Sequence, residues 1–471
     1  MVRRVRPVSA DTEQLKIKAA SRLTIIAEPR KDFFISMLVR DINVNAAIID
    51  LVDNCVDGAI RCRKNKPFND LSVHIEVTRD RFVIRDNCGG ISETLARKYA
   101  FNFGRSPGDP TVEHSVGQFG VGMKRALFKL GKKFIIQSAS AKSTFTVEVD
   151  VDQWREAKDW TFQFKKLETA VNPASEQGTT ITVSPLNEGV ANYFQVPENV
   201  NNLRTEIGER HQMSIDRGMA VVLNGVHVKP VYAKLLASRK LKPAYYEKKY
   251  PVPYAPKAAK VTVKIWAGIG RSGSADAQDA GWYVFCNQRM ILRADQSTST
   301  GWGQVQKIYE KNIQEKAYRE KIPKYHMQFR WFRGYVMFDS NDGTFLPWNT
   351  TKNGLEEESW IYPTVKLQMM TLMRPVIDFL NRIDEEGEGQ GGDTGPLHAA
   401  VNEATPVLLS KVTYSGRFVA PKTLPTPPRW ARISYKKPTK DIEWAQQKLK
   451  ARSRTEVGEK TFEYYLKMEK D

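Results

Sequence analysis

The sequence is poor in the residues that would tie a chain to an oxidising compartment or to a bilayer. Only four of its 471 residues are cysteine (Cys55, Cys62, Cys88 and Cys286), and none forms a CxxC pair. A disulfide framework and a zinc site are thereby without support, and a reducing cytoplasm or nucleus fits. The longest apolar stretches, such as Phe33 to Val39, fall well short of the roughly 18 residues that a membrane span requires, so no transmembrane helix is expected. Met1 to Arg6 is basic, but Pro7 to Ala20 is polar and lacks the apolar centre of a secretory signal, so the protein is expected to stay in the compartment where it is made. The six histidines fall in no phosphoacceptor or metal-binding pattern, and no repeat of fixed period is visible.

What is present is a globular composition with a large excess of one charge. Hydrophobic residues make up 41% of the chain, enough for real cores, and at about 100 to 200 residues per domain the length suggests two or three domains. The formal charge is +19, and two stretches dominate it. Between Lys229 and Lys264 ten basic residues stand against Glu247 alone, among them Lys240, Lys242, Lys248 and Lys249, with tyrosines interleaved. Between Lys411 and Arg454 twelve stand against Asp441 and Glu443, punctuated by Pro421, Pro425, Pro427 and Pro428. Either run alone reads equally as a solvated face. Two in one chain point toward a polyanion, most simply nucleic-acid phosphate bound without sequence preference.

Alternating helical and strand-like patterns indicate an α/β layered architecture. Strands are expected at Val73 to Val77, Phe82 to Arg85, Lys133 to Ser138, Thr144 to Val149 and Thr179 to Val183. A second αβ unit is expected from about Met219, with strands at Ala220 to Leu223, Val261 to Ala267, Gly281 to Phe285 and Gly334 to Phe338 and a closing helix from Val365 to Asn381. The acidic, Gly-rich segment Asp384 to Pro396 reads as a flexible linker to a basic tail that can bury little.

Three segments carry chemistry. Wound as a helix, Ala46 to Ile60 places Asp50, Asn54 and Asp57 on one narrow polar face and Ile48, Leu51, Val52, Cys55 and Ala59 on the other. Alone this is an ordinary exposed face, but its oxygens also suit Mg²⁺, which takes few protein ligands and fills its shell from phosphate and water. Thirty-two residues after Asn54, the strand Phe82 to Arg85 delivers Asp86 into the turn Asn87-Cys88-Gly89-Gly90. A strand-end carboxylate can accept an exocyclic amine, and glycines let the backbone approach a flat base. Thirty-one residues later comes Gly117-Gln118-Phe119-Gly120-Val121-Gly122-Met123-Lys124, opening a helix. Such glycines present N–H groups to phosphate, and Lys124 adds a point charge. A Rossmann reading fails, because the acidic strand precedes the glycine loop.

Together and in this order the three segments resemble the GHKL ATPases, the superfamily of gyrase-type subunits, ninety-kilodalton heat-shock chaperones, histidine kinases, MutL-type repair proteins and microrchidia ATPases. The resemblance implies a Bergerat-type ATP-binding sandwich, with Asn54 on Mg²⁺, Asp86 on the adenine amine and the loop Gly117 to Gly122 as a lid over the phosphates. Gly178-Thr179, before a late strand, matches a fourth element in which Thr179 supports Asp86. Gly122 to Gly131 looks most like the microrchidia proteins. Gly281 to Ile291 resembles a transducer domain of the ribosomal-S5 type, and Lys352, in Leu346 to Leu355, matches its phosphate-sensing lysine, though by position alone it is also a plain loop lysine. Asp50 stands where hydrolysing members carry Glu, one methylene longer, so slow hydrolysis is expected. Cys88 replaces the first glycine after the adenine-reading carboxylate, so the turn could be shifted by one residue.

The layout expected from this is an N-terminal arm (1–22), an ATP-binding domain (23–195), a transducer domain (196–383), a linker (384–396) and a basic tail (397–471). The function implied is an ATP-dependent homodimeric clamp on DNA, closing on ATP and reopening on hydrolysis, serving bacterial defence, DNA maintenance or chromatin-type compaction. A protein partner encoded in the same system also fits, and no membrane partner. Its place would be the nucleoid-bearing cytoplasm or the nucleus, according to the host. The competing reading is a heat-shock-type chaperone clamping protein clients. Against it stand the short chain, without long client-handling regions, and the basic tail.

Overall fold

The computed structural model describes residues 30–64, 66–104, 113–117, 120–231, 233–255, 258–308, 318–390, 395–412, 416–421, 434 and 436–469. The N-terminal arm, Gln118 and Phe119 lie outside these residues. The chain divides into two units, residues 1–421 and 422–471.

The larger unit is built on two sheets. The first has eight strands in the order β5-β4-β3-β6-β2-β1-β7-β8. They are β1 (Ser72–Val77), β2 (Phe82–Asp86), β3 (Lys133–Ser140), β4 (Ser143–Asp150), β5 (Phe164–Thr169), β6 (Gly178–Val183), β7 (Ala220–Leu223) and β8 (Val226–His227). Alternation makes these strands: in β1 the side chains of Val73, Ile75 and Val77 turn inward while His74 and Glu76 face out, and β4 buries Phe145, Val147 and Val149 in the same period of two. Helices α1 (Lys31–Arg40), α2 (Val44–Arg63) and α3 (Gly122–Leu130) share the core of this sheet, where Ile48, Leu51, Val52, Leu127 and Leu130 meet Phe82, Phe134 and Ile136. Asn43 caps α2 by accepting from the Ala46 N–H at 2.8 Å.

The strand expected to begin the second unit instead closes the first sheet. β7 pairs in parallel with β1, Ser72 opposite Ala220 and Ile75 opposite Leu223. The helix α4 (Pro197–Arg210) adds Leu203 and Ile207 to the same core, together with Val221, Leu223 and Val228. The first layer thus runs past 195 to about 228, because these apolar residues find their partners in it.

The second sheet has the order β10-β11-β16-β12-β13, from β9 (Lys234–Ala237), which pairs elsewhere, through β10 (Ala244–Pro251), β11 (Lys260–Ile269), β12 (Gly281–Cys286) and β13 (Arg289–Asp295) to β16 (Phe332–Asp339). A small ribbon of β14 (Val305–Ile308) and β15 (Tyr318–Lys321) interrupts the chain between them. Helix α5 (Tyr362–Gln390) lays Met369, Met373, Val376 and Phe379 against Val263, Ile265, Val336 and Phe338.

Two further expectations are corrected here. The proposed flexible linker (384–396) is helical as far as Gln390, and Pro396 opens helix α6 (Pro396–Asn402), with 391–394 outside the described residues. The proposed tail is built into the second layer up to Pro421: Leu397, Val401 and Phe418 join its core, β17 (Thr405–Leu408) pairs with β9, and Trp266 donates to the Val412 carbonyl at 3.1 Å. A glycine-rich, acidic composition hid a helix end whose anchors lie after it.

The smaller unit contains α7 (Thr439–Lys448) and α8 (Arg454–Glu469). Among its described residues only Ala451 and Val457 are buried, while Trp444, Phe462, Tyr464, Tyr465 and Met468 are exposed. Among the described residues no helix is long and apolar enough to cross a membrane.

Candidate nucleotide site

A cavity of about 160 Å³ lies between α2, the ends of β2 and β6, the start of α3 and the loop carrying Lys352. Asp50, Asn54, Asp57, Asp86, Gly90, Gly117, Gly120, Gly122, Lys124, Thr179 and Lys352 all line it, so the sequence motifs converge on one place.

Helix α2 is not packed by one face, as its pattern suggested. From Ala47 to Ala59 every residue is buried except Asn54, whose side chain is open to the cavity. The first core takes one side, and the two carboxylates expected to be open are covered by later parts of the chain. Asp50 is in a buried ion pair with Arg125 of α3, at 2.5 Å, and Lys352 lies 3.5 Å from its other oxygen. Asp57 accepts the N–H groups of Val116 and Gly117 at 2.6 and 2.7 Å. Burial pushes its carboxyl above the ordinary range, and the two N–H bonds oppose the shift. Asp57 therefore holds the base of the glycine loop and does not present a free carboxylate.

At the other end of the cavity Asp86 sits opposite Thr179 in the β2–β6 register. One of its oxygens accepts the Cys88 N–H at 2.8 Å, and Cys55 Sγ lies 3.5 Å from the other. Burial raises its pKa, and the Cys88 N–H is the largest opposing influence. Thr179 Oγ1 and Ser138 Oγ are 2.9 Å apart, a pair that ties β6 to β3 behind the carboxylate. Backbone proximity explains two glycines: a Cβ on Gly178 would come within 2.0 Å of the Asp86 carbonyl oxygen, and one on Gly90, whose φ is +63°, within 2.1 Å of the Ala139 carbonyl oxygen. Cys88 stands in the turn between these contacts, buried, its thiol held up by desolvation.

The glycine loop opens α3 with Val121 at the N-cap. Lys124 lines the cavity. It is buried, donating to the carbonyls of Ala100, at 2.9 Å, and Gly120, so it fastens the loop's end to the body. The stem of the loop is gripped from the second layer as well. Val116 belongs to the second hydrophobic core, Asn287 donates to the Ser115 carbonyl at 3.1 Å, and His114 Nδ1 lies 3.1 Å from Asp339. A Cβ on Gly117 would stand 2.6 Å from Asp57 Oδ2. Gly117→Ala is accordingly expected to displace the carboxylate that anchors the loop, to weaken ATP binding about tenfold, the scale of one or two charge-assisted hydrogen bonds, and to lower the melting temperature by several degrees. Titration calorimetry beside a thermal melt checks both halves.

Several residues at this site had no part in the sequence reading. Asp53 is fully buried beside Asp50, with Arg289 Nε at 2.8 Å, Lys352 Nζ at 2.8 Å and His211 Nε2 at 3.4 Å. Burial by itself would raise its pKa, but Arg289, Lys352 and His211 outweigh that and hold it well below the carboxylate range. Burial drives His211 the other way, down to about 3, so this imidazole is neutral at physiological pH. For Lys352, the two aspartates overcome the desolvation that would lower its pKa and keep it charged. The signal for these residues was weak: Asp53 stands among Asp50, Asn54 and Asp57, and Arg125 directly follows Lys124, so neither stood out as a charge that would be buried and need a counter-ion.

The comparison with protein families points to the same segments. Residues 42–179 match the family described as "Histidine kinase-, DNA gyrase B-, and HSP90-like ATPase". That segment runs from just before α2 to Thr179 and takes in all four motifs, so this part of the chain is similar to a GHKL-type ATPase domain. No curated protein matches the chain.

Proposed function

We propose that the chain is an ATP-dependent clamp of the microrchidia type, which closes as a homodimer around DNA when ATP binds and reopens on hydrolysis. The observation that carries this reading is Lys352: a side chain from the second layer enters the nucleotide pocket, so that whatever fills the pocket acts directly on the layer beyond it.

The lining suits a magnesium–ATP complex. Among the described residues no cluster of three or more His, Cys, Asp or Glu is placed to hold a metal, so a magnesium ion here would rest on Asn54 and the phosphate oxygens. Such an ion would neutralise phosphate charge. Asp86 would accept the adenine amine with Thr179 behind it, Gly117, Gly120 and Gly122 would offer backbone N–H groups to the phosphates, and Lys352 would meet the terminal one. Asp50 would take a proton from the attacking water, held in place by Arg125. The second layer would serve as the transducer.

The DNA part of the proposal rests on charge. Lys240, Lys242, Lys248 and Lys249 are exposed, the last two on the edge strand β10, while Tyr245, Tyr246 and Tyr250 of the same run pack into the body and do not offer a stacking face. Binding should therefore be electrostatic and indifferent to sequence, with a salt slope of about −0.9 per phosphate neutralised. Deleting residues 422–471 is expected to flatten that slope and leave ATP binding intact, and neutralising the four lysines to weaken what remains. Gel shifts at several salt concentrations test this. No binding to long duplex at low salt, with or without a non-hydrolysable ATP analogue, would remove DNA and leave a protein-client chaperone as the reading to pursue.

A further inference from the structure

Asp53 is the most completely buried charge in the molecule's nucleotide region, yet it does not line the cavity. Of the three groups that face it, Arg289 and His211 do not line the cavity either, and Lys352 does. Whatever Asp53 does for the site it therefore does through Lys352. From this arrangement we infer that Asp53 is a positioning residue that holds Lys352 against α2 until the terminal phosphate of a bound nucleotide competes for the same ammonium, and that it thereby sets how strongly the site prefers a triphosphate to a diphosphate. The inference rests on the nucleotide reading given above.

The geometry provides for a lysine that leaves and an aspartate that stays. Lys352 bonds Asp53 at 2.8 Å and reaches Asp50 only at 3.5 Å, and Asp50 already has Arg125 at 2.5 Å, so Asp53 is the stronger hold on the ammonium. Its stem is flexible and its charge compact, whereas Arg289 is fixed at the end of a two-residue turn, Asn287-Gln288, in which both residues have positive φ. Arg289 also donates to the Met290 carbonyl at 2.6 Å. When Lys352 moves, Arg289 remains on Asp53, and no uncompensated buried carboxylate is left behind, which is the costly outcome for a broken buried pair. Lys352 itself has φ of +52°, a left-handed conformation that a non-glycine residue adopts only where its surroundings impose it. His211, neutral beside Asp53, adds no competing charge.

The experiment measures the affinity of the full chain for a non-hydrolysable ATP analogue and for ADP by titration calorimetry. Asp53→Asn is expected to strengthen the analogue about tenfold, within the range of coupling between linked sites, and to leave ADP unchanged. In a Lys352→Met background the same substitution is expected to change neither. Because Asp53→Asn alone strands buried cations and can fail to fold, Asp53→Asn/Arg289→Met, which removes one charge of each sign, carries the same expectation. An equal shift for both nucleotides, or a shift in their ratio that persists with Lys352→Met, would overturn the inference while leaving the nucleotide site standing. A wild-type chain that binds neither nucleotide would overturn the nucleotide reading and this inference with it.

Discussion

An Asp86→Ala chain should bind ATP roughly 100-fold more weakly than the wild type, since a buried exocyclic amine would lose a charged acceptor and remain unpaired. The effect should be specific to that amine. Inosine triphosphate, which has a carbonyl in its place, should bind the wild-type protein as poorly as ATP binds the variant, and the substitution should cost it little more. The loss cannot be ascribed to a missing support of the turn alone if Asp86→Asn, which keeps an acceptor for the Cys88 N–H, weakens ATP as well. Equal ATP affinities in the wild type and both variants would mean that the base lies elsewhere and that the strand-end carboxylate only shapes the turn.

Asp50→Asn should retain ATP and lose turnover by about 10² to 10⁴, the usual value of a positioned general base. The carboxylate is buried between Arg125 and Lys352, so the variant also leaves two cations facing a neutral amide, and its melting temperature should fall in the absence of nucleotide and recover when ATP is added. Asp50→Glu supplies the missing methylene, and we expect it to hydrolyse ATP faster than the wild type. If Asp50→Asn turns over ATP at the wild-type rate, the water is activated by another group.

Much of this site was legible in the sequence because its parts are local. Asn54, Asp86, the glycine loop and Gly178-Thr179 each lie within a short segment whose composition serves backbone geometry, and the strands Val73 to Val77 and Thr179 to Val183 followed from side-chain alternation alone. What escaped depends on distant partners. Asp53 looks like one more polar residue on α2 until Arg289, Lys352 and His211 arrive from 158 to 299 residues away, and Asp57 looks like an open ligand until Val116 and Gly117 fold over it. Lys124 follows the loop as expected, but its ammonium goes to the Ala100 and Gly120 carbonyls. The layer boundary was misplaced for a similar reason: β7 is a strand by its own residues, and only its parallel register with β1 says which sheet it joins. The segment 384–396 misled because glycine and acid suggest a linker, whereas Leu397 and Val401 just beyond it are core residues.

If ATP closes two copies of this chain on each other through Lys352, as we propose, light scattering of the purified protein will register it. With a non-hydrolysable ATP analogue we expect a mass of two chains, with ADP or without nucleotide the mass of one, and with Lys352→Met the mass of one in all three conditions. One and the same mass for the wild-type chain with and without the analogue would contradict it.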